Sequence, residues 1–300
     1  MKVPRILNVG SINMDMVINV DKMPEAGQTL FGEKYCYIPG GKGANQGVAA
    51  ARLGAQVTFL GRVGDDDFGR TMIENFKKDN IDTSLITVDK NSSTGVAVIP
   101  VESSGQNRII VISGANMEIT ESDIDIAFQR DFDAVTIGLE VPLNVVYYTY
   151  KKASEKGIPV VLDAGPAMKL DLSPLKGIDV ISPNETECLA MTGIEPSSEQ
   201  AALLAAEKIY SGCNAKNVVI KLGGRGSYLY KNGVGKIIPA VSGVKVKDTT
   251  AAGDCFTAAL ATMLIKTGDI ECAIEYATKA AAICISRFGA QPSLPYENEI

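Results

Sequence analysis

Two short runs decide the fold: Ile158-Pro159-Val160-Val161-Leu162-Asp163 and Ile178-Asp179-Val180-Ile181-Ser182-Pro183-Asn184-Glu185-Thr186-Glu187. Each begins as an apolar strand without a wet face and ends in polar residues. Strands buried on both sides read this way, and they belong to parallel sheets covered by helices. Working outward, the alternation recurs, with strands expected near 133–138 and 217–222 and helices near 121–129, 143–156, 184–192 and 198–210. The expected fold class is α/β, a Rossmann-like, predominantly parallel sheet with helices on both faces. Ligands of such sheets sit at the carboxyl ends of the strands, which singles out Glu140, Asp163, Asn184 and Glu187. Asn184 and Glu187, three apart at a helix start, can face one direction; reciprocal capping explains the same spacing.

The amino-terminal part reads differently. Residues 5–10 form an apolar strand, whereas residues 12–20 alternate apolar with polar, a strand with one wet face. Asn13 and Asp15 lie two apart and project from the same face. With a strand at 30–38 and a hairpin of 94–101 and 107–113, this segment builds a small sheet apart from the main one. That sheet, from strands within about 12–38 and 94–113, is expected to be a lid on a single domain spanning 1–300.

Between these strands lies Pro39-Gly40-Gly41-Lys42-Gly43-Ala44-Asn45-Gln46-Gly47, expected as a loop before a helix over 48–53. It lacks the GxxxxGK[ST] spacing of a P-loop; its glycines are read as letting a ligand approach the backbone, with Lys42 and Asn45 donating. Asp65-Asp66-Asp67 precedes a helix over 70–78 and is read as a helix start rather than a metal cluster. Lys221-Leu222-Gly223-Gly224-Arg225-Gly226 fits either a phosphate cradle or a hairpin turn, and an apolar stripe from Ile270 to Cys284 is read as helix packing.

Composition narrows the chemistry. The 300 residues include no histidine, which excludes histidine-based hydrolase triads and the HExxH metalloprotease helix. A general base must then be Asp, Glu, Lys, Tyr or Cys. A net charge of -6 argues against nucleic acid as partner. No run reaches membrane-spanning length, and no signal peptide is recognised at the amino terminus, so a cytoplasmic protein is expected. The six cysteines are scattered without a CxxC pair and are expected as free thiols.

Asp248-Thr249-Thr250-Ala251-Ala252-Gly253-Asp254 stands before an apolar helix expected over 255–266. Small residues there bring the backbone close to a ligand, and a helix amino terminus is a ready anion site. Asp254 at that positive end is either a cap or a group with work beside a phosphate; the stretch alone leaves both open.

Taken together, Gly10-Ser11-Ile12-Asn13-Met14-Asp15, Gly40 to Gln46, Val63 to Gly69, Pro183 to Glu187 and Asp248 to Asp254 occur in an order that resembles the ribokinase family of sugar and nucleoside kinases. The resemblance covers nearly the whole chain. It implies ATP-dependent phosphorylation of D-ribose at the 5-hydroxyl, with kinases for fructose, deoxyribose, adenosine or pseudouridine as alternatives and a non-catalytic sugar-binding module as the alternative of another class. By similarity, Asp254 is the base, and the amides of Ala251, Ala252 and Gly253 form an anion hole. Asn13, Asp15, Gly41, Lys42, Gly43, Asn45, Glu140 and Asp248, with Asp254, bind the sugar. Asn184, Glu187, Lys221, Gly223, Gly224, Arg225, Gly226, Gly253 and Thr278 bind the nucleotide, and Glu187 holds Mg2+ through water. The resemblance also implies a K+ site from Asp248, Thr250, Cys284, Arg287, Gly289 and Ser293, and a homodimer paired through the lid. Family members commonly carry threonine at the position of Lys221, so this chain departs from the pattern there.

Overall fold

The structure is a computed structural model and describes residues 2–300. In chain order the strands and helices are β1 (Arg5–Val9), β2 (Asn13–Val20), β3 (Lys34–Gly40), α1 (Lys42–Arg52), β4 (Gln56–Gly64), α2 (Asp67–Lys78), β5 (Asp82–Asp89), β6 (Gly95–Glu102) and β7 (Ile110–Ile112). Next come α3 (Glu121–Ala127), β8 (Ala134–Ile137), α4 (Leu143–Glu155), β9 (Val160–Asp163), β10 (Val180–Ser182), α5 (Glu185–Thr192) and α6 (Glu199–Cys213). The chain closes with β11 (Asn217–Lys221), β12 (Ser227–Lys231), β13 (Val234–Ile238), α7 (Ala252–Thr267) and α8 (Ile270–Ile285).

Nine strands form one sheet in the order β13-β12-β11-β10-β9-β8-β1-β4-β5. It is parallel from β11 to β5, and β12 and β13 add an antiparallel edge. Side chains alternate between two cores. Leu7, Leu162, Ile181 and Val218 pack with α3 to α6, whereas Ile6, Val161, Val180 and Val219 pack with α1, α2, α7 and α8. Both faces are thus covered, as the apolar strand runs require. Because β1 lies between β8 and β4, the chain reverses its direction of travel across the sheet there, and this crevice is where open α/β sheets bind ligands.

The expected lid strands form a second sheet, in the order β3-β2-β6-β7. Asn13 and Asp15 do share one of its faces, in the ladder rows that pair them with Gly40 and Ile38.

Several boundaries moved. The glycine-rich stretch is helical: α1 starts at Lys42, not at 48. Gly41 makes the turn with φ 90°, and the Glu140 carboxylate accepts the Lys42 N–H at 3.1 Å. The glycines chiefly serve close packing, for a Cβ on Gly43 would stand 2.5 Å from the Ser11 nitrogen and one on Gly47 would stand 2.9 Å from the Phe59 ring. Strand β3 begins at Lys34 instead of 30, and β4 runs past residue 60 to Gly64. The aspartate run caps α2, with Asp66 accepting the Gly69 N–H at 2.8 Å, and no metal-holding group of acidic, cysteine or histidine residues is found among the described residues. Helix α7 begins three residues before the expected 255. All six cysteines are free thiols, and no described helix is long and apolar enough to cross a membrane.

Candidate active site

Five chain segments bring the site together at the carboxyl edge of the parallel strands. From the end of β1, the Ser11 hydroxyl donates to Glu140 Oε2 at 2.5 Å and accepts the Gly43 N–H at 3.2 Å. Glu140 therefore clamps the start of α1, where a carboxylate meets the positive end of a helix. Asn13 Oδ1 accepts from Asn116 Nδ2 at 2.7 Å, and Asn116 Oδ1 accepts the Ile12 N–H at 2.8 Å. Asn116 is a buried anchor that orients Asn13; as one polar residue behind a hairpin, it carries no mark in the sequence.

Asp254, 4% exposed, sits in the first turn of α7. Its Oδ2 accepts from Asn45 Nδ2 at 2.8 Å, whereas Oδ1 is buried without a hydrogen-bond donor and lies 3.8 Å from Lys42 Nζ. Asn45 Oδ1 is likewise buried and unpaired. Buried polar atoms are seldom left unpaired, and these two belong to side chains that already bond to each other. Burial pushes Asp254 up to about 6, with Lys42 and Asn45 opposing and Asp163 and Glu140 adding to the shift. Asp15 is pushed up to about 7 by burial and by Glu140 and Asp254. Burial alone would lower Lys42, but Asp254, Asp163, Glu187 and Glu140 outweigh it and keep the ammonium charged.

The turn before α7 is strained at one place. Ala251 has φ 60°, in the left-handed region that alanine rarely enters. The Ala252 N–H donates to the Thr249 carbonyl at 3.2 Å, so that amide is engaged within the turn while Gly253 borders the neighbouring cavity. Asp248 holds the same loop together. Its Oδ1 accepts from the Thr250 hydroxyl at 2.6 Å and its Oδ2 from the Gly289 N–H at 2.9 Å. Neither oxygen bonds to Asn13, Asp15 or Asn45 among the described residues.

On the other side of α7 opens a cavity of about 760 Å³, lined by Asn184, Lys221, Gly223, Gly224, Gly226, Gly253 and Thr278 together with residues 240–244 and Val246. Of the residues expected there, Arg225 is turned away, donating to Glu185 at 2.7 Å and to the Pro196 carbonyl at 2.6 Å. Asn184 and Glu187 form the reciprocal cap of α5: Asn184 Oδ1 accepts the Glu187 N–H and Glu187 Oε2 accepts the Asn184 N–H. The reciprocal cap is therefore the arrangement this spacing makes, and Glu187 Oε1 also lies 3.9 Å from Lys42 Nζ. Lys221-to-Gly226 is both a hairpin turn, joining antiparallel β11 and β12, and a cavity wall.

Near the end of α8, Cys284 Sγ lies 3.0 Å from Ser293 Oγ and 3.7 Å from the Thr250 carbonyl. With Asp248 and Gly289 this makes a cluster rich in oxygen. Arg287 points elsewhere, donating to Glu299 at 2.5 Å.

A buried carboxylate at a helix start, with a cavity on one side and a cluster of polar side chains on the other, is the kind of arrangement found at phosphotransferase sites. Residues 3–297 match the pfkB family carbohydrate kinase, and the chain belongs to that family. It is 40% identical to the ribokinase of Haemophilus influenzae, across 97% of this chain and 95% of that protein. It is also 33% identical to the deoxyribokinase of Salmonella typhi, across 96% and 94%. The solved structure of Arabidopsis thaliana ribokinase complexed with ribose and ATP superposes with a TM-score of 0.91 at 31% identity, covering 99% of this chain and 97% of that one.

Proposed function

We propose that this chain is an ATP-dependent kinase that phosphorylates D-ribose at the 5-hydroxyl to give ribose 5-phosphate. The observation that carries the reading is Asp254 Oδ1, a carboxylate oxygen buried without a donor at the start of α7 and set between the clasp and the cavity. A sugar hydroxyl is the donor it lacks. Asp254 takes that proton as the oxygen attacks, a role suited to a carboxylate raised to about 6. A module that only bound sugar has no need of such a carboxylate beside the Gly253 amide at a helix amino terminus.

Asn13, Asp15, Lys42, Asn45 and Glu140 orient the pentose, with Gly41 and Gly43 letting α1 come close; Asp248 keeps the loop in place. The nucleotide lies in the larger cavity against Asn184, Lys221 and Thr278, and the Gly253 amide faces its terminal phosphate. Hard oxygen donors fit the two cations implied by the resemblance. Glu187 Oε1 would hold Mg2+ through water, and Asp248, Thr250, Gly289 and Ser293 would hold K+ beside the anion site. When bound, these ions neutralise phosphate charge; the chain's own residues place the acceptor and remove its proton. The second sheet acts as the lid and pairs two copies of the chain, and the whole works in the cytoplasm.

ADP release from ATP, measured with Mg2+ and a panel of ribose, deoxyribose, fructose and nucleosides, with and without K+, tests the reading. Turnover with ribose as the best acceptor supports it. Absence of turnover with every pentose, or an Asp254→Asn variant as active as the parent, refutes it.

A further inference from the structure

Lys221 is the only Lys or Arg side chain lining the large cavity among the described residues. Arg225, the one other cation in the turn, does not line the cavity and is paired with Glu185 at 2.7 Å. Lys221 Nζ stands 3.8 Å from where a Cβ on Gly253 would be, which puts the ammonium at the start of α7. It donates to Asp163 Oδ1 at 3.2 Å, and its side chain is 11% exposed. An ammonium has three N–H donors, and Asp163 takes one.

Asp163 is wholly buried at the end of β9 and is fixed from four sides. Oδ1 accepts from Lys221 and from the Gly165 N–H at 3.2 Å; Oδ2 accepts from Gln46 Nε2 at 2.9 Å and from the Thr257 hydroxyl at 3.2 Å. Burial would raise this carboxyl, but Lys221 and Lys42 outweigh burial and hold it below its ordinary value. A lysine on a flexible four-carbon stem has no fixed direction of its own. Tied to an anion locked between β9, α1 and α7, it has one.

We infer that Lys221 is a phosphate clamp of this kinase, using its two remaining N–H donors on the phosphate chain beside Gly253, and that Asp163 is the positioning residue that aims it. The inference rests on the nucleotide cavity assigned above. It differs from what a threonine at this position offers, since a hydroxyl brings one donor and no charge. The pair also explains why an anionic ligand enters a region already holding Asp254, Asp163 and Glu187: Lys221 supplies the cation that faces the cavity, while Lys42 faces Asp254.

Calorimetric titration of the full chain with a non-hydrolysable ATP analogue and Mg2+, set against phosphate-free adenosine, tests this. Lys221→Met is expected to weaken the analogue at least 30-fold and adenosine less than twofold. Lys221→Arg, which can reach both Asp163 and a phosphate, should recover most of the loss. Asp163→Asn should weaken the analogue about tenfold and leave adenosine alone. Because Lys221→Met strands a buried carboxylate, the Lys221→Met/Asp163→Asn double variant is measured beside it; it should match Lys221→Met and be no weaker, as expected if Asp163 acts through Lys221. An unchanged analogue affinity in Lys221→Met, or equal losses for adenosine and the analogue, overturns the inference. The readout is nucleotide binding, so failure to phosphorylate ribose leaves the test intact, whereas a parent chain that binds no analogue overturns both readings.

Discussion

The large sheet and the small one end in opposite states of burial. Every residue of β8, β9 and β10 is buried, while every residue of β7 is exposed and Tyr35 and Tyr37 on β3 stand open as well. The difference lies in the connections between strands. Crossover helices return over the large sheet and cover both faces, whereas the long segment from β3 to β6 gives its helices and strands to the large sheet and leaves β7 and much of β3 uncovered. Apolar surface left open in this way marks a surface waiting for a ligand or a partner. Stability should therefore reside in the large sheet and substrate handling in the small one, with Asp254 at the seam.

The largest effect is expected at that seam. Asp254→Asn should lower turnover about 10³-fold, the scale of a lost general base, as read by ADP release. The same change should stabilise the fold by about 1–3 kcal/mol, since a carboxyl that burial pushes up to about 6 is ionised at the expense of folding; thermal melting reads the gain. Next comes the core. Phe76→Ala removes a ring stacked on Phe59 at 4.7 Å and wholly buried; it should cost about 3–5 kcal/mol by denaturant titration while the KM for ribose stays within twofold. The lid should answer in reverse. Ile110 and Val111 point to opposite faces of β7, so Ile110→Ser with Val111→Ser makes both faces polar. That variant is expected to sediment as a monomer and to raise the KM for ribose about tenfold, with an intrinsic stability cost near 0.5 kcal/mol. A lid variant that melts as early as Phe76→Ala would break the comparison.

The smallest effect is the pH response. Asp254 must be ionised to accept a proton, so kcat/KM should fall as pH drops through about 6. Stability moves the other way over the same range. The folded pKa is raised, so this group's stabilising contribution is greatest below the ordinary carboxylate value and is lost as pH rises through about 6. Asp133, held near 2 against burial by Lys2 and Arg5, contributes oppositely, and its share is lost only as pH falls toward about 2. Melting curves between pH 4.5 and 7.5 on the parent and Asp254→Asn should separate the two.

Much of this was legible in the residues, for physical reasons that differ by region. The strands 160–163 and 180–182 are plain because burial on both faces leaves apolar side chains up to the last residue of each. The polar groups at their ends, Asp163, Asn184 and Glu187, were found by the same rule. The start of α1 was not legible, because glycines that signal a loop by local preference are here required by packing against Gly10, Ser11 and Phe59. Strand β5 has no expectation in the sequence: it is an edge strand with polar residues on its open side. The place of Arg225 is not legible because its ion pair with Glu185 joins the turn after β11 to the first residue of α5, which meet only in the fold. Asn116 and Gln46 were overlooked since a buried amide looks like any surface one until its partners are known.

The left-handed alanine at 251 can be weighed against the glycine that would relax it. Glycine would relieve about 1–2 kcal/mol of native strain, but it would add about 0.4–1 kcal/mol of freedom to the unfolded chain. The second term offsets about half of the first, so alanine holds the turn in one shape at a net cost of about 1 kcal/mol. In Ala251→Gly, that turn would sample more directions before the nucleotide arrives, and ordering it would become part of the cost of binding.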